Sequence, residues 1–572
     1  MGTYSRRLAL RVLGACLSGC CLIGCEATGD RTSRSENRDL EPAVGRPVAL
    51  VPQVTSQGIT YRGIFTHQSA DQNTDQSTDQ STDQSTDQST DQNIDWSTGH
   101  GVARFAGIPF AAPPVGKLRW ERPQPLVPVA NSIDATQFAP ACMQTGSGLA
   151  WYHGMMSRVG VDPSLMQAPD YAEDCLYLNV WTDLSVTQKK PVLVFIHGGS
   201  NTGGWSYEPN YHGEALAREG VVVVTVAYRL GVFGWLSHPD MSVQNVGLHD
   251  LAASLRWVRD HIEDFGGDAS RITVSGESAG ADNALHLALT PSMQDPIAGV
   301  IHQSAGWSAT SSLSPQAAFS LGKALVEHHV GPKGRFSDLK SVPADALLAS
   351  QQSLFSNHYF SPIRDAETLP VTLETLIKSG DLPAIKLLSG SNLNEALMYL
   401  SADVSLKEVL DERVTQVAHA KVVAALGLEL TERQQLDRLA SSLQYTCPSL
   451  VIASAVASAN GEAWVYRFDR VRDGFDPIGA YHGAELPYVF DRHDAWLPTD
   501  QTDKNITQAL VGYWRAFTAA SGSDSINTAV PRAEAWPQWG PTEQILQING
   551  SLRVGPHPDA ELCRVLAKTG AL

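Results

Sequence analysis

From about residue 105 onward, apolar runs alternate with helical patterns. Val192-Leu193-Val194-Phe195-Ile196 and Val221-Val222-Val223-Val224-Thr225-Val226 are apolar at almost every position and read as strands buried on both faces. Leu248, Leu251, Ala252, Leu255, Val258 and Ile262 share one face of a helix, and Ile506, Ala509, Leu510, Tyr513, Trp514 and Phe517 repeat that spacing further on. Buried strands joined by helical crossovers predict an α/β fold with a mostly parallel central sheet flanked by helices. Residues 58–63 predict a short strand with 102–105 as its partner. Residues 271–275, 384–388 and 464–468 predict three more, the last being the final long strand.

The pattern lapses in three places. Arg6, Arg7 and Arg11 precede the mostly apolar run 12–24, which has the charged and hydrophobic regions of an export leader (1–24) and is short for a membrane span. It ends in Leu22-Ile23-Gly24-Cys25, which resembles a bacterial lipobox, where the cysteine is lipidated and becomes the new N-terminus. Leu17-Ser18-Gly19-Cys20 fits the same pattern, and an ordinary cleaved leader is the further alternative. The expected location is the bacterial cell envelope, on a membrane anchor at Cys25, with secretion as the alternative. Residues 25–56, rich in Arg, Ser, Glu and Asp, read as a flexible tether. Within the remaining domain, 57–572, an Asp-Gln-Ser/Asn-Thr repeat of period four runs from Asp71 to Gln92, its last copy degenerate at Ile94, with no apolar residue able to offset the entropy of ordering, and 71–94 reads as a disordered loop insertion.

Composition narrows the function. At 572 residues with 43% hydrophobic positions, the chain can bury one large core. Sixty acidic against 42 basic residues, a net charge of −18, leave no electrostatic footprint for nucleic acid, although seven of those acids lie in the low-complexity tract from Asp71 to Asp95. No His-Glu-x-x-His, close Cys/His cluster or dinucleotide fingerprint is present, so neither a metal nor an organic cofactor is expected. Four of the eight cysteines lie in or beside the leader, and export places the others, Cys142, Cys175, Cys447 and Cys563, where disulfides form; four cysteines allow three pairings.

Gly276-Glu277-Ser278-Ala279-Gly280 follows the strand at 271–275 and opens a helical pattern. A strand-to-helix turn that tight needs small residues around the serine and holds its hydroxyl at the positive end of the helix. Ile196-His197-Gly198-Gly199-Ser200 closes an earlier strand with small residues able to present N–H groups to a developing oxyanion. With Phe105-Ala106-Gly107-Ile108-Pro109-Phe110, Glu173-Asp174-Cys175-Leu176-Tyr177-Leu178-Asn179 and Phe265-Gly266-Gly267-Asp268, these motifs resemble the type-B carboxylesterases, an α/β-hydrolase family that includes cholinesterases, over about residues 58–563.

The resemblance implies a serine carboxylic-ester hydrolase, and such a serine needs a base and the base an acid partner. Glu395, on the loop following strand 384–388, falls where the family carries its acid, with Asp365 as the alternative. Among 17 histidines, His482 in Gly479-Ala480-Tyr481-His482-Gly483-Ala484-Glu485 matches the family's histidine segment. Gly199, Ser200 and Ala279 supply the expected oxyanion N–H groups, Ser200 standing where many relatives have a third glycine. Glu277 is expected to shape the pocket's electrostatics, Ser304 to hydrogen-bond within the triad network, and Trp151, Tyr152, Met155 and Met156 to wall the pocket. Arg119 with Glu173, and Arg229 with Asp250, match structural ion pairs, and the family's disulfides imply Cys142 with Cys175 and Cys447 with Cys563. The rival from another class is a non-catalytic adhesion protein on the same fold; within hydrolases, amide, carbamate and lipid esters remain open.

Overall fold

A computed structural model describes residues 51–66, 101–127, 130–290, 297–306, 313–356, 358–519, 526–528 and 535–572. The leader, Cys20, Cys25 and the repeat 71–94 lie outside the described residues. Val54 and Ser56 are buried between exposed neighbours, so 53–56 form a strand, β1 (Gln53–Ser56), where a tether was expected through residue 56. It pairs antiparallel with β2 (Ile59–Arg62).

The partner expected for β2 is corrected. At Gly63 the chain crosses hard against Arg104 and Phe105, where a Cβ would come within 2.4 Å of the Arg104 carbonyl oxygen. Beyond it β3 (Ile64–Phe65), not β2, pairs with β4 (Val102–Pro109), while β2 takes β5 (Ser132–Asp134) into a separate small sheet. A glycine that permits this crossing changes which sheet the chain belongs to, and side-chain alternation cannot register that. Next, β6 (Ala141–Cys142) and β7 (Tyr171–Ala172) form a two-stranded ladder on either side of the helix Ser147–Arg158.

The central sheet continues through β8 (Tyr177–Asp183), β9 (Lys190–Ile196), β10 (Val222–Val226), β11 (Gly267–Glu277), β12 (Ile297–Gln303), β13 (Lys386–Asn392), β14 (Glu462–Phe468), β15 (Gln544–Ile548) and β16 (Leu552–Pro556). Its eleven strands run in the order β16-β15-β14-β13-β12-β11-β9-β10-β8-β4-β3. Every neighbour pair from β10 to β15 is parallel, and antiparallel pairs close both ends. This is the α/β-hydrolase architecture that the alternating pattern predicted. Strands β9 and β10 are buried along their whole length, as their unbroken apolar runs require. Helices Val246–His261, Ala279–Leu289, Cys447–Ser458 and Gln501–Ala519 pack on the sheet.

Strand β13 outruns its prediction. Ser389-Gly390-Ser391-Asn392 has the composition of a loop, yet these residues are sheet-paired and buried, with Gly390 making room for the Tyr466 ring 2.3 Å from where a Cβ would stand. The 27-residue helical run Glu432–Ser458 is long and apolar enough to cross a membrane, but 78% of its apolar window is buried in the fold, which marks it as a core element.

Both expected ion pairs form. Arg119 grips Glu173 with two 2.6 Å bonds, and Arg229 holds Asp250 at 2.6 and 2.8 Å in full burial. Both expected disulfides form as well, joining Cys142 to Cys175 and Cys447 to Cys563. The second spans 116 residues against 33 for the first. Loop-closure entropy therefore predicts a stabilisation of up to about 4.9 kcal/mol for the second and about 3.7 kcal/mol for the first. Denaturant unfolding of the two double Cys→Ala variants is expected to show the larger loss for Cys447/Cys563; the reverse order would place the stabilisation in local packing around the shorter loop.

Candidate active site

Ser278 occupies the turn between β11 and the helix Ala279–Leu289 at φ 56°, ψ −130°, a backbone conformation costly for any side-chain-bearing residue. The flanking glycines explain how the turn closes. A Cβ on Gly276 would lie 2.3 Å from the Gly280 carbonyl carbon, and one on Gly280 would lie 2.1 Å from the Ile196 carbonyl oxygen. The second contact brings the end of β9, with its His197-Gly198-Gly199-Ser200 segment, against the serine. Gly198 packs so closely that an added Cβ would stand 2.9 Å from the Ser278 Cβ.

That glycine segment is held by its own network. Gly199, Ser200 and Asn201 run through φ of 92°, 57° and 58°, and the Gly199 carbonyl accepts from Thr202 and Gly203 N–H at 2.9 and 3.0 Å. Asn201 donates to the Phe360 carbonyl and accepts from Asn283 of the serine's own helix at 2.8 Å. Gln144 bonds both the N–H and the carbonyl of Gly204, tying the segment to the Cys142 disulfide. Among the described residues, the main-chain N–H groups of Gly199, Ser200 and Ala279 donate to nothing within the fold, so all three remain available to an oxyanion.

His482 lies on the loop after β14. Its Nδ1 is 2.6 Å from Oε2 of Glu395, which is wholly buried three residues past the end of β13 and whose Oε1 accepts the Asn392 N–H at 2.7 Å. Its Nε2 faces the elbow, 3.1 Å from Oε1 of Glu277, the residue preceding Ser278. Asp365, the alternative acid, spends its oxygens on Thr368, Leu369 and Glu367 of its own loop and on Asn245. The fold thus brings Ser278, Glu277, His482 and Glu395 together and leaves Asp365 elsewhere.

A sequence model for the Carboxylesterase family matches residues 88–566. The chain belongs to that family. It is 31% identical over 490 residues to the para-nitrobenzyl esterase of Bacillus subtilis, covering 81% of this chain and 95% of that one. It is likewise 31% identical over 511 residues to the acetylcholinesterase of Bungarus fasciatus, covering 81% and 82% of the two chains. A solved PNB esterase structure superposes with a TM-score of 0.71 at 27% identity, over 90% of this chain and all of that one. The protein is a carboxylic-ester hydrolase, and its substrates are small-molecule esters.

Two expectations about the esterase's site are corrected. Ser304 was to join the triad network through its hydroxyl; instead it turns the chain at φ 52°, binds the Gly390 carbonyl through its N–H, and its buried Oγ has no partner among the described residues. Met155 and Met156 were to wall the pocket, but both are fully buried, and Tyr152 is spent on Glu208. Trp151 stays partly exposed and donates to the Tyr399 hydroxyl at 2.7 Å, and the Tyr399 and Tyr445 rings lie 6.0 and 4.9 Å from the His482 ring. The sequence reading also missed Glu485, which accepts from Gln303 and Asn392 at 2.9 and 2.6 Å. Its position three residues after His482 was the only available signal.

Three buried carboxylates, Glu277, Glu395 and Glu485, therefore surround one imidazole. Burial pushes the Glu277 carboxyl up, His482 opposing and the other two carboxylates reinforcing the shift. Burial alone would depress His482, but the Glu277 and Glu395 charges and the Glu395 hydrogen bond outweigh it, and the net shift is upward. The Glu277–His482 pair holds one proton to higher pH than a buried imidazole could alone. Glu277→Gln is expected to lower the His482 titration midpoint by about one unit or more, followed by NMR of the imidazole C–H protons. An unmoved midpoint would mean that Glu277 exerts no charge on the histidine.

Proposed function

We propose that the enzyme works through an acyl-enzyme on a Ser278–His482–Glu395 triad. Ser278 Oγ attacks the ester carbonyl carbon while His482 Nε2 takes the hydroxyl proton, and the carbonyl electron pair moves onto oxygen. The N–H groups of Gly199, Ser200 and Ala279 hold that oxyanion. As the intermediate collapses, the proton passes from His482 to the departing alcohol oxygen and the acyl group stays on Ser278. Water then repeats the sequence and releases the acid. Glu395 fixes the proton on Nδ1 and stabilises the imidazolium, and Glu277 sets how tightly the imidazole holds its proton.

The observation that carries this reading is His482, bonded through Nδ1 to a fully buried glutamate and presenting Nε2 to the elbow that bears Ser278. Ser278→Ala is expected to abolish turnover of p-nitrophenyl esters, by several powers of ten, with the circular dichroism of the parent. Glu395→Gln is expected to cost far more turnover than Asp365→Asn. Parental rates in Ser278→Ala would remove the nucleophile, and the opposite ranking of the two acids would reassign the triad.

We further propose that the enzyme is exported and held in the bacterial cell envelope by lipid on Cys25. The lipobox-like Leu22-Ile23-Gly24-Cys25 after an apolar leader supports this, as do two disulfides that belong in an oxidising compartment. Cells fed radiolabelled palmitate are expected to label the parent and not Cys25→Ala. Label retained in that variant and lost in Cys20→Ala would move the anchor to Cys20.

A further inference from the structure

Glu395 approaches His482 on a loop, and a loop alone does not hold two groups at hydrogen-bonding distance. The residues on either side of Glu395 both end on one side chain of the helix Glu432–Ser441. Asn394, before it, donates Nδ2 to Oδ2 of Asp437 at 2.8 Å. Ala396, after it, donates its N–H to Ser441 Oγ at 3.0 Å, and that hydroxyl donates onward to Oδ1 of Asp437 at 3.2 Å. Asp437 and Ser441, one helical turn apart, are 2% and 3% exposed.

Asn394 also reaches the other loop. Its Oδ1 accepts the Ala480 N–H at 3.0 Å and its own N–H donates to the Ala480 carbonyl at 3.0 Å, two residues before His482. The same helix then passes through a π-wound turn, Ser442–Thr446, a local distortion that favours functional positions. That turn sets the Tyr445 ring 4.9 Å from the His482 ring and Thr446 Oγ1 2.9 Å from Ser391 Oγ on β13.

The geometry points to Asp437, with Ser441 as its relay, as a positioning residue that fixes the Glu395 loop against the His482 loop and so sets the triad's acid-to-base contact. This rests on the triad reading above. Asp437 touches neither the nucleophile nor the imidazole, and no small molecule has to reach it. It acts because its two oxygens take the bonds that bracket Glu395, one directly from Asn394 and the other through the Ser441 hydroxyl. An asparagine there keeps one acceptor oxygen and sets an NH2 donor against the other of the two donors, Asn394 Nδ2 or Ser441 Oγ. The groups that bear on the readout are Glu277, Glu395 and Glu485 around His482, and Arg433 and Glu395 around Asp437.

Asp437→Asn and Ser441→Ala are to be compared with the parent and with Glu395→Gln, each first shown to unfold cooperatively. A misplacement of well under an ångström in a triad costs turnover and not binding, so kcat is expected to fall about tenfold to a hundredfold with KM near the parental value. Because Glu395 helps raise the His482 pKa, a loosened contact lowers it, and the acid limb of kcat/KM moves to lower pH. The downfield proton resonance of the Nδ1–H bond to Glu395 is expected to move upfield in both variants. A purely structural role would lower the melting temperature and leave limb and resonance unmoved. Should Asp437→Asn fail to fold, Ser441→Ala decides, since it removes one hydroxyl and leaves the carboxylate with Asn394. Parental kcat, limb and resonance in Ser441→Ala alongside a crippled Glu395→Gln would overturn the clamp. Parental turnover in Glu395→Gln would overturn instead the acid's role on which the clamp depends.

Discussion

A carboxylate withdrawn from water has to find its donors inside the protein, and Glu395, with no exposed surface, finds the Asn392 N–H and the His482 imidazole. Much of the site's architecture follows from that need. Asn392 is the last residue of β13, so the donor to Oε1 is part of the sheet itself. Its side chain bonds the Tyr481 carbonyl at 2.8 Å and Glu485 at 2.6 Å, which closes a ring from strand to histidine loop and back. Breaking one member would leave another buried polar group unpaired, and the arrangement is rigid for that reason.

The Ser278 side of the site obeys a steric constraint. The turn at Ser278 exists only because Gly276 and Gly280 let backbone come closer than any Cβ would allow, and β11 is clamped between β9 and β12 on the sheet. That closeness also brings up the His197-Gly198-Gly199-Ser200 segment, since what Gly280 packs against is the carbonyl end of β9. Strain at one residue is sustained by packing distributed over three strands and a helix. The electrostatic consequence is a site of excess negative charge around a single base. Burial pushes Glu277 toward its neutral form, while the carboxylate charges and the Glu395 hydrogen bond make His482 hold its proton more tightly, so the two groups titrate as a pair.

Where chemistry and backbone are written in consecutive residues, the chain could be read directly. Gly276-Glu277-Ser278-Ala279-Gly280 is such a case, and so are the runs that became β9 and β10. Where an outcome depends on what lies opposite, reading failed in instructive ways. Ser389-Gly390-Ser391-Asn392 looks like a loop because serine, glycine and asparagine favour turns, yet Gly390 is there to admit the Tyr466 ring. Met155 and Met156 sit beside Trp151 in sequence, but the helix Ser147–Arg158 turns the methionines into the core and leaves the tryptophan partly exposed. Ser304 combines a positive φ with a buried hydroxyl that has no partner among the described residues, and its motif encodes neither.

The sequence by itself determined the fold class, the strand-to-helix turn at Ser278 and, through family likeness, the His482–Glu395 contact and the disulfide partners, because each rests on local periodicity or on motifs of near neighbours. Tertiary structure alone decided that β2 leaves the central sheet, that Glu277 meets His482, and that Asp437, some forty residues beyond Glu395, ends the hydrogen bonds on both sides of it. A hydrogen bond or an ion pair depends on separation in space over a few ångströms and on direction, neither of which residue order fixes once the chain has folded back across a sheet.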